Sequence, residues 1–212
     1  LEDGRALEAE VIGYNTKLGK VELKRQDGKR VKVKPDIFVE ADQTYIKEWA
    51  MLDGFRNESL FKVDCAKKKV EDWKEENSAF QTQFERFVYE VGLENRNAFP
   101  VENLKAEYRI FYEQEQNDSA TKKVVTIKNS KPGSLDLNAL GAKQKKTIKS
   151  ESIVLEEFEF NMSDYYVPDG DPESTHGEIK GIWLRLTLTT PGGQSYIRDV
   201  YEPANLQGKY AW

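Results

Sequence analysis

The chain has 212 residues, 38% of them hydrophobic and 33% charged, with a net charge of −5. That length and apolar content suffice for two packed domains, and the acidic balance argues against a general polyanion binder. No run of 18 apolar residues is present, which excludes a membrane-spanning helix, and the lone Cys65 excludes an intramolecular disulfide.

Strand signals come first along the chain. Leu7, Ala9 and Val11 alternate with Glu8 and Glu10, the pattern of a half-buried strand. Residues 14–19, YNTKLG, read as a turn. Val21 and Leu23 then alternate with Lys20, Glu22 and Lys24, and Val31 and Val33 with Arg30, Lys32 and Lys34. Asp27-Gly28 between them is a hairpin signal, because glycine accepts the positive φ that such a turn needs. Pro35 ends the third strand, since it cannot donate to a ladder. Ala41, Tyr45, Trp49 and Leu52 fall at helical spacing, which predicts a short amphipathic helix ending before Gly54.

From Leu60 the strands lengthen. Phe61, Val63 and Cys65 alternate, as do Phe87, Tyr89, Val91 and Leu93, and Leu104, Ala106, Tyr108, Ile110 and Tyr112. Further strands are predicted over Val124–Ile127, Ile153–Phe160, and the segments GIWLRLTLTT and SYIRDVYEP, the last two joined by TPGGQS. Seven or so strands without a long helix indicate a mainly β chain with an antiparallel sandwich. The predicted division is a small barrel-like domain with a closing helix over residues 1–55 and a sandwich over 57–212, joined near residues 53–59. The sandwich is expected to fold on its own.

The stretch DGRALEAEVIGY, with GKVELKRQDGKRVKVKPDIFVEADQTYIKEW, resembles the Src-homology-3-like domain known as homology domain one of a yeast endocytic adaptor, in the form found in exported bacterial proteins. Asp3-Gly4-Arg5, Glu8-Ala9-Glu10, Asp27-Gly28-Lys29 and the Ala41-to-Trp49 helix carry the resemblance. A strand that usually precedes Asp3-Gly4 in that family is reduced here to Leu1 and Glu2. The remainder resembles immunoglobulin- or fibronectin-like sandwiches of exported bacterial proteins, on VGLENRNAFPVENLKAEYRIFY and LNALGAKQKKTIKSESIVL. These resemblances imply fold, and a periplasmic or cell-envelope location. A start at Leu1 and the near-absence of cysteine fit export. Peptide-binding residues of the eukaryotic domain match no positions here.

The chemistry of sites removes several enzyme classes. His176 is the only histidine; Ser174 lies two residues away but no G-x-S-x-G elbow surrounds it. Cys65, in an alternating strand, reads as a small core residue rather than a nucleophile. One cysteine and one histidine are too few for a zinc site. Residues 151–179 hold nine acids and no Lys or Arg, and Asp169, Asp171 and Glu173 alternate within them. The calcium-loop pattern fails, because Ser174 and Lys180 stand where Gly and Glu are required. Glu156, Glu157 and Glu159 offer carboxylates for glycoside hydrolysis, but nothing places a second carboxyl opposite them. The basic stretch of residues 20–35 contains no aromatic for base stacking, and residues 1–56 carry eleven acids and eleven bases, so no specific nucleic-acid binding is expected.

The reading that results is a non-catalytic interaction or structural protein of the bacterial cell envelope, with no cofactor and no metal. Its partner is expected to be a protein or peptide, with carbohydrate as an alternative for an accessory module. A hydrolase with an unrecognised site is the second alternative. Candidate binding residues are Tyr165, Tyr166, Asp169, Asp171 and Glu173. Trp183 and Tyr210 could join a ring platform, although Trp183, flanked by Ile182 and Leu184, is expected in the core.

Overall fold

A computed structural model describes residues 6–76, 80–118, 120–121, 123–160 and 174–212. The chain is mainly β, with three antiparallel sheets and one α-helix among these residues. No helix among them is long and apolar enough to cross a membrane.

The first sheet is a meander of β1 (Ala9–Asn15), β2 (Lys20–Arg25) and β3 (Arg30–Val33), in that spatial order. It is an open three-stranded sheet among the described residues, not the closed barrel expected. Asn15 Oδ1 accepts the Lys17 and Leu18 N–H groups in the first turn, and Gly28 takes φ 79° in the second. Val21 and Leu23 are buried and Val31 and Val33 pack against them. Their basic neighbours stand on the other face, where Glu22 Oε2 lies 3.3 Å from Lys32 Nζ and Oε1 lies 4.0 Å from Arg30. The positive charge of this hairpin follows from strand geometry alone.

Helix α1 (Glu40–Arg56) runs through Gly54, past the end predicted from sequence. Its buried face is also rotated from the predicted one. Tyr45 is exposed, while Ile46, Ala50, Gly54 and Phe55 are buried. The reason is that the helix serves two cores. Ile46 and Trp49 cover the small sheet, whereas Met51, Leu52 and Phe55 join the core of the larger sheets. Phe55 is 1% exposed and meets Phe61 edge-on at 5.4 Å.

Gly54 is explained by a close approach. A Cβ there would lie 2.5 Å from Nδ2 and Oδ1 of Asn97. Asn97 cannot retreat, because its backbone and side-chain N–H groups both donate to Asn95 Oδ1 at 3.0 Å. Gly→Ala inside a helix is ordinarily favourable by about 1 kcal/mol. Gly54→Ala is instead expected to destabilise the protein by about 1–3 kcal/mol, the range for overpacking. A rise in the urea midpoint would contradict the close packing of α1 on Asn97.

The two larger sheets share one core. One has the order β11 (Ser195–Glu202), β10 (Gly177–Thr189), β6 (Leu104–Asp118), β7 (Lys123–Leu135). The other is β4 (Phe61–Glu76), β5 (Phe80–Asn95) and β8 (Lys145–Lys149), with β9 (Ile153–Phe160) pairing β5 further along the same strand. Strand β8 is an addition to the strands read from sequence. Tyr89, Val91 and Leu93 of β5 face Leu104, Ala106, Tyr108 and Ile110 of β6 and Ile182, Leu184, Leu186 and Leu188 of β10 across that core. These are the alternating sets expected from the period of the strand. Lys67, Lys68 and Lys69 sit exposed on edge strand β4, where charge discourages strand-to-strand aggregation.

Candidate ligand cleft between two free strand edges

The sheets end on one side at β4 and β11, each of which has a single hydrogen-bonded neighbour among the described strands. Between these two edges lies a cleft of about 490 Å³, within the range of ligand sites. Lys62 to Cys65 form one wall, Arg198 to Glu202 the other, and Glu58, Ala204 and Gln207 close the rim.

The backbone of β4 leaves hydrogen-bonding groups along this wall. Phe61 turns its N–H and C=O away from β5, giving them to Asn57 O and to Arg198. By the alternation of an antiparallel ladder, Val63 and Cys65 present theirs along the same free edge.

Arg198 holds one end of the cleft. It lies on the same face of β11 as Tyr196 and Val200, which pack on the core, so its side chain is directed between the sheets and is only 14% exposed. Nη1 donates to Phe55 O at 3.2 Å and to Phe61 O at 2.7 Å. The first of these is a carbonyl in the last turn of α1, where a cation is favourable. Among the described residues the acid nearest the guanidinium, Glu58, stands 4.0 Å from Nη2 and is 87% exposed. Burial therefore lowers the Arg198 pKa from its ordinary value, and Glu58 only partly opposes that.

The other end is acidic. Burial pushes the Cys65 thiol up to about 12, with Glu202 and Asp64 adding to the rise. Burial and then Glu202 likewise raise the phenol of Tyr89. Arg198 meets Phe61 and the charge of Glu202 acts on Cys65, so the basic end of the cleft lies at Phe61 and the acidic end toward Cys65.

Cys65 is consequently a poor nucleophile, because the thiolate is the reactive form. Its carbamidomethylation by iodoacetamide at pH 8 is expected to be at least about a hundredfold slower in the folded protein than in urea. The sign follows from the raised pKa. The folded state holds the thiol proton more tightly, so this group costs stability only as pH rises above the ordinary value of 9.0. Equal native and denatured alkylation rates would show the thiol to be exposed and ionisable.

The sequence-predicted residues fare differently. Tyr165, Tyr166, Asp169, Asp171 and Glu173 lie outside the described residues. Trp183 is not in the main core: Ile182 and Leu184 point inward and Trp183 points to the opposite face of β10. There it meets Tyr201 and Trp212, each with ring centroids at 5.0 Å. Arg185 stacks on Trp212 at 4.2 Å and pairs with Asp199 through bonds of 2.8 and 3.0 Å. Tyr210 stacks on the buried Phe111 at 4.2 Å. The segment after β11 thus covers these rings with its own aromatics, and they form no open platform. Trp73 and Phe84 stack on each other at 5.1 Å, with Arg86 over Trp73.

His176 Nδ1 lies 2.8 Å from Glu157 Oε1, and both side chains are exposed. Glu156, Glu157 and Glu159 are on β9, where Gln83 pairs Glu157. No group of three or more His, Cys, Asp or Glu side chains able to hold a metal ion occurs among the described residues. The residue that sequence reading missed is Arg198. Its one signal was a cation in register with Tyr196 and Val200, on the apolar phase of an alternating strand.

No protein-family model matches the chain, and no curated protein matches it. Among solved structures it is similar to a Northeast Structural Genomics Consortium target, SoR45, with 10% identity and a TM-score of 0.31, over 73% of this chain and 96% of that one. A superposition of that quality assigns neither fold nor function.

Proposed function

We propose that the protein is a non-catalytic interaction module that takes an extended peptide segment into the cleft between β4 and β11. The observation that carries this is the pair of free strand edges that line a cleft of about 490 Å³. An added strand would satisfy the outward N–H and C=O groups of Val63 and Cys65, the mode of recognition in which main-chain bonds supply affinity and side-chain pockets supply choice. The neutral, half-buried thiol of Cys65 suits a packing role on that wall.

A small Src-homology-3-like unit precedes an immunoglobulin- or fibronectin-like sandwich, in an exported protein of the cell envelope. Support comes from the order β11-β10-β6-β7 facing β4-β5-β8, all pairings antiparallel. Fold alone does not set function, so the cleft is where the proposal stands or falls.

The test is a titration of the isotopically labelled protein with a pool of blocked heptapeptides of alternating Thr and Val carrying varied charged residues. Amide shifts and slowed hydrogen exchange are expected at residues 62–65 and 198–202. Peptide binding mapped to another surface, or none at millimolar peptide, would refute strand addition here.

A further inference from the structure

The geometry points to a specific charge pattern in the bound segment: an acidic side chain at the Arg198 end and a basic one four residues away, at the Glu202 end. This inference rests on the strand-addition reading of the cleft.

The two ends of the cleft differ in what they lack. Arg198 is largely buried, spends Nη1 on two neutral carbonyls, and has only the exposed Glu58 at 4.0 Å to balance its charge. Among the described residues Glu58 is the one acid within 4.0 Å of the guanidinium; Glu202 acts on both Cys65 and Tyr89, and Asp64 on Cys65. Arginine binds carboxylates through a planar fork of donors, in short charge-assisted bonds. A carboxylate brought against Nη2 would give Arg198 a close counter-ion that the described residues do not provide. At the far end Glu202 and Asp64 line the cleft, and a cationic side chain suits them; Lys62, beside Phe61, and Asp199, paired with Arg185, stand nearer the Arg198 end.

Spacing ties the two together. Arg198 and Glu202 are four residues apart on one strand, about 13 Å at the rise of an extended chain. Residues i and i+4 of an extended ligand share a face and have the same separation. One ligand can therefore place an acid on Arg198 and a base on Glu202 at once, and charge complementarity of this kind chooses among partners more than it raises overall affinity.

The probes are four blocked peptides built on Thr-Glu-Val-Thr-Val-Lys-Thr: the parent, the Glu-to-Gln form, the Lys-to-Gln form and the form with both neutralised. A second set has Glu and Lys exchanged, to allow for either strand direction. Binding is followed through the amides of residues 62–65 and 198–202. In the favoured direction the parent is expected to bind at least about tenfold more tightly than the doubly neutral peptide, with a preference that shrinks in high salt. Glu202→Gln, an exposed change that leaves the core intact, is expected to erase the preference for Lys and keep that for Glu. Arg198→Lys is expected to weaken the preference for Glu. Equal binding of all four peptides at these amides would overturn the charge pattern and leave strand addition standing. No response at these amides would overturn strand addition itself, and the charge pattern with it.

Discussion

Phe55→Ala is expected to lower the stability of the whole protein by about 3–5 kcal/mol, the range for truncating a fully buried phenylalanine. The side chain is carried by the helix of the N-terminal unit, yet it is 1% exposed and clusters with Phe61 and the larger core. Its carbonyl also receives Arg198. Both sheet systems are therefore expected to respond in one cooperative transition, read by urea unfolding with tryptophan fluorescence and by the amide signals of β2 and β10. A fragment of residues 57–212 lacks Phe55, Met51 and Leu52, and is expected to show at least the loss of Phe55→Ala. A fragment as stable as the full chain would mean that the helix merely leans on the larger core. A loss below about 1 kcal/mol for Phe55→Ala would say the same, since a filled core site cannot be emptied so cheaply.

Asn95→Ala is expected to cost about 3 kcal/mol or more. Asn95 is fully buried at the end of β5. Its Nδ2 donates to the carbonyls of Phe99, Leu140 and Gly141 at 2.8, 3.1 and 3.0 Å, and Oδ1 accepts both N–H groups of Asn97. Removing the side chain strands several buried polar groups, at about 1–3 kcal/mol each. It also frees Asn97, on which Gly54 of α1 rests. Asn95→Asp is expected to be worse at neutral pH, because a carboxylate would face three carbonyls where an N–H₂ group stood. The sign with pH follows: burial and those carbonyls favour the protonated form, so Asn95→Asp should regain stability as pH falls. Thermal melts at pH 7 and pH 4.5 decide it. A variant equally stable with Asp and with Asn at pH 7 would show that the amide's donors are not used.

The alternating strands were legible from residues alone. Val21 and Leu23, then Tyr89, Val91 and Leu93, and Leu104, Ala106, Tyr108 and Ile110 all face inward as their spacing required, because a strand's period of two reports burial on one face without reference to any neighbour. The outward lysines of β2 and β3 came with them. Helix α1 was legible in position but not in extent. Gly54 reads as a stop on local propensity, and only the approach of Asn97 shows why a glycine sits inside the helix. The buried face was missed for a related reason: one periodic stripe was expected, and the helix divides its apolar residues between two cores.

Trp183 was misplaced because its neighbours in sequence, Ile182 and Leu184, belong to the other face of β10, and its cover comes from Tyr201 and Trp212. The cleft was not legible at all. Arg198 and Phe61 are separated by 137 residues, and nothing in either segment names the other. By itself, the sequence determined the β class, the inward faces of its strands and the charge of their outer faces, since these are properties of short stretches. Tertiary structure alone decided which strands became edges, which edges came to flank one cleft, and which arginine was left between them, because edges and the clefts between them are made by strand order across the whole chain.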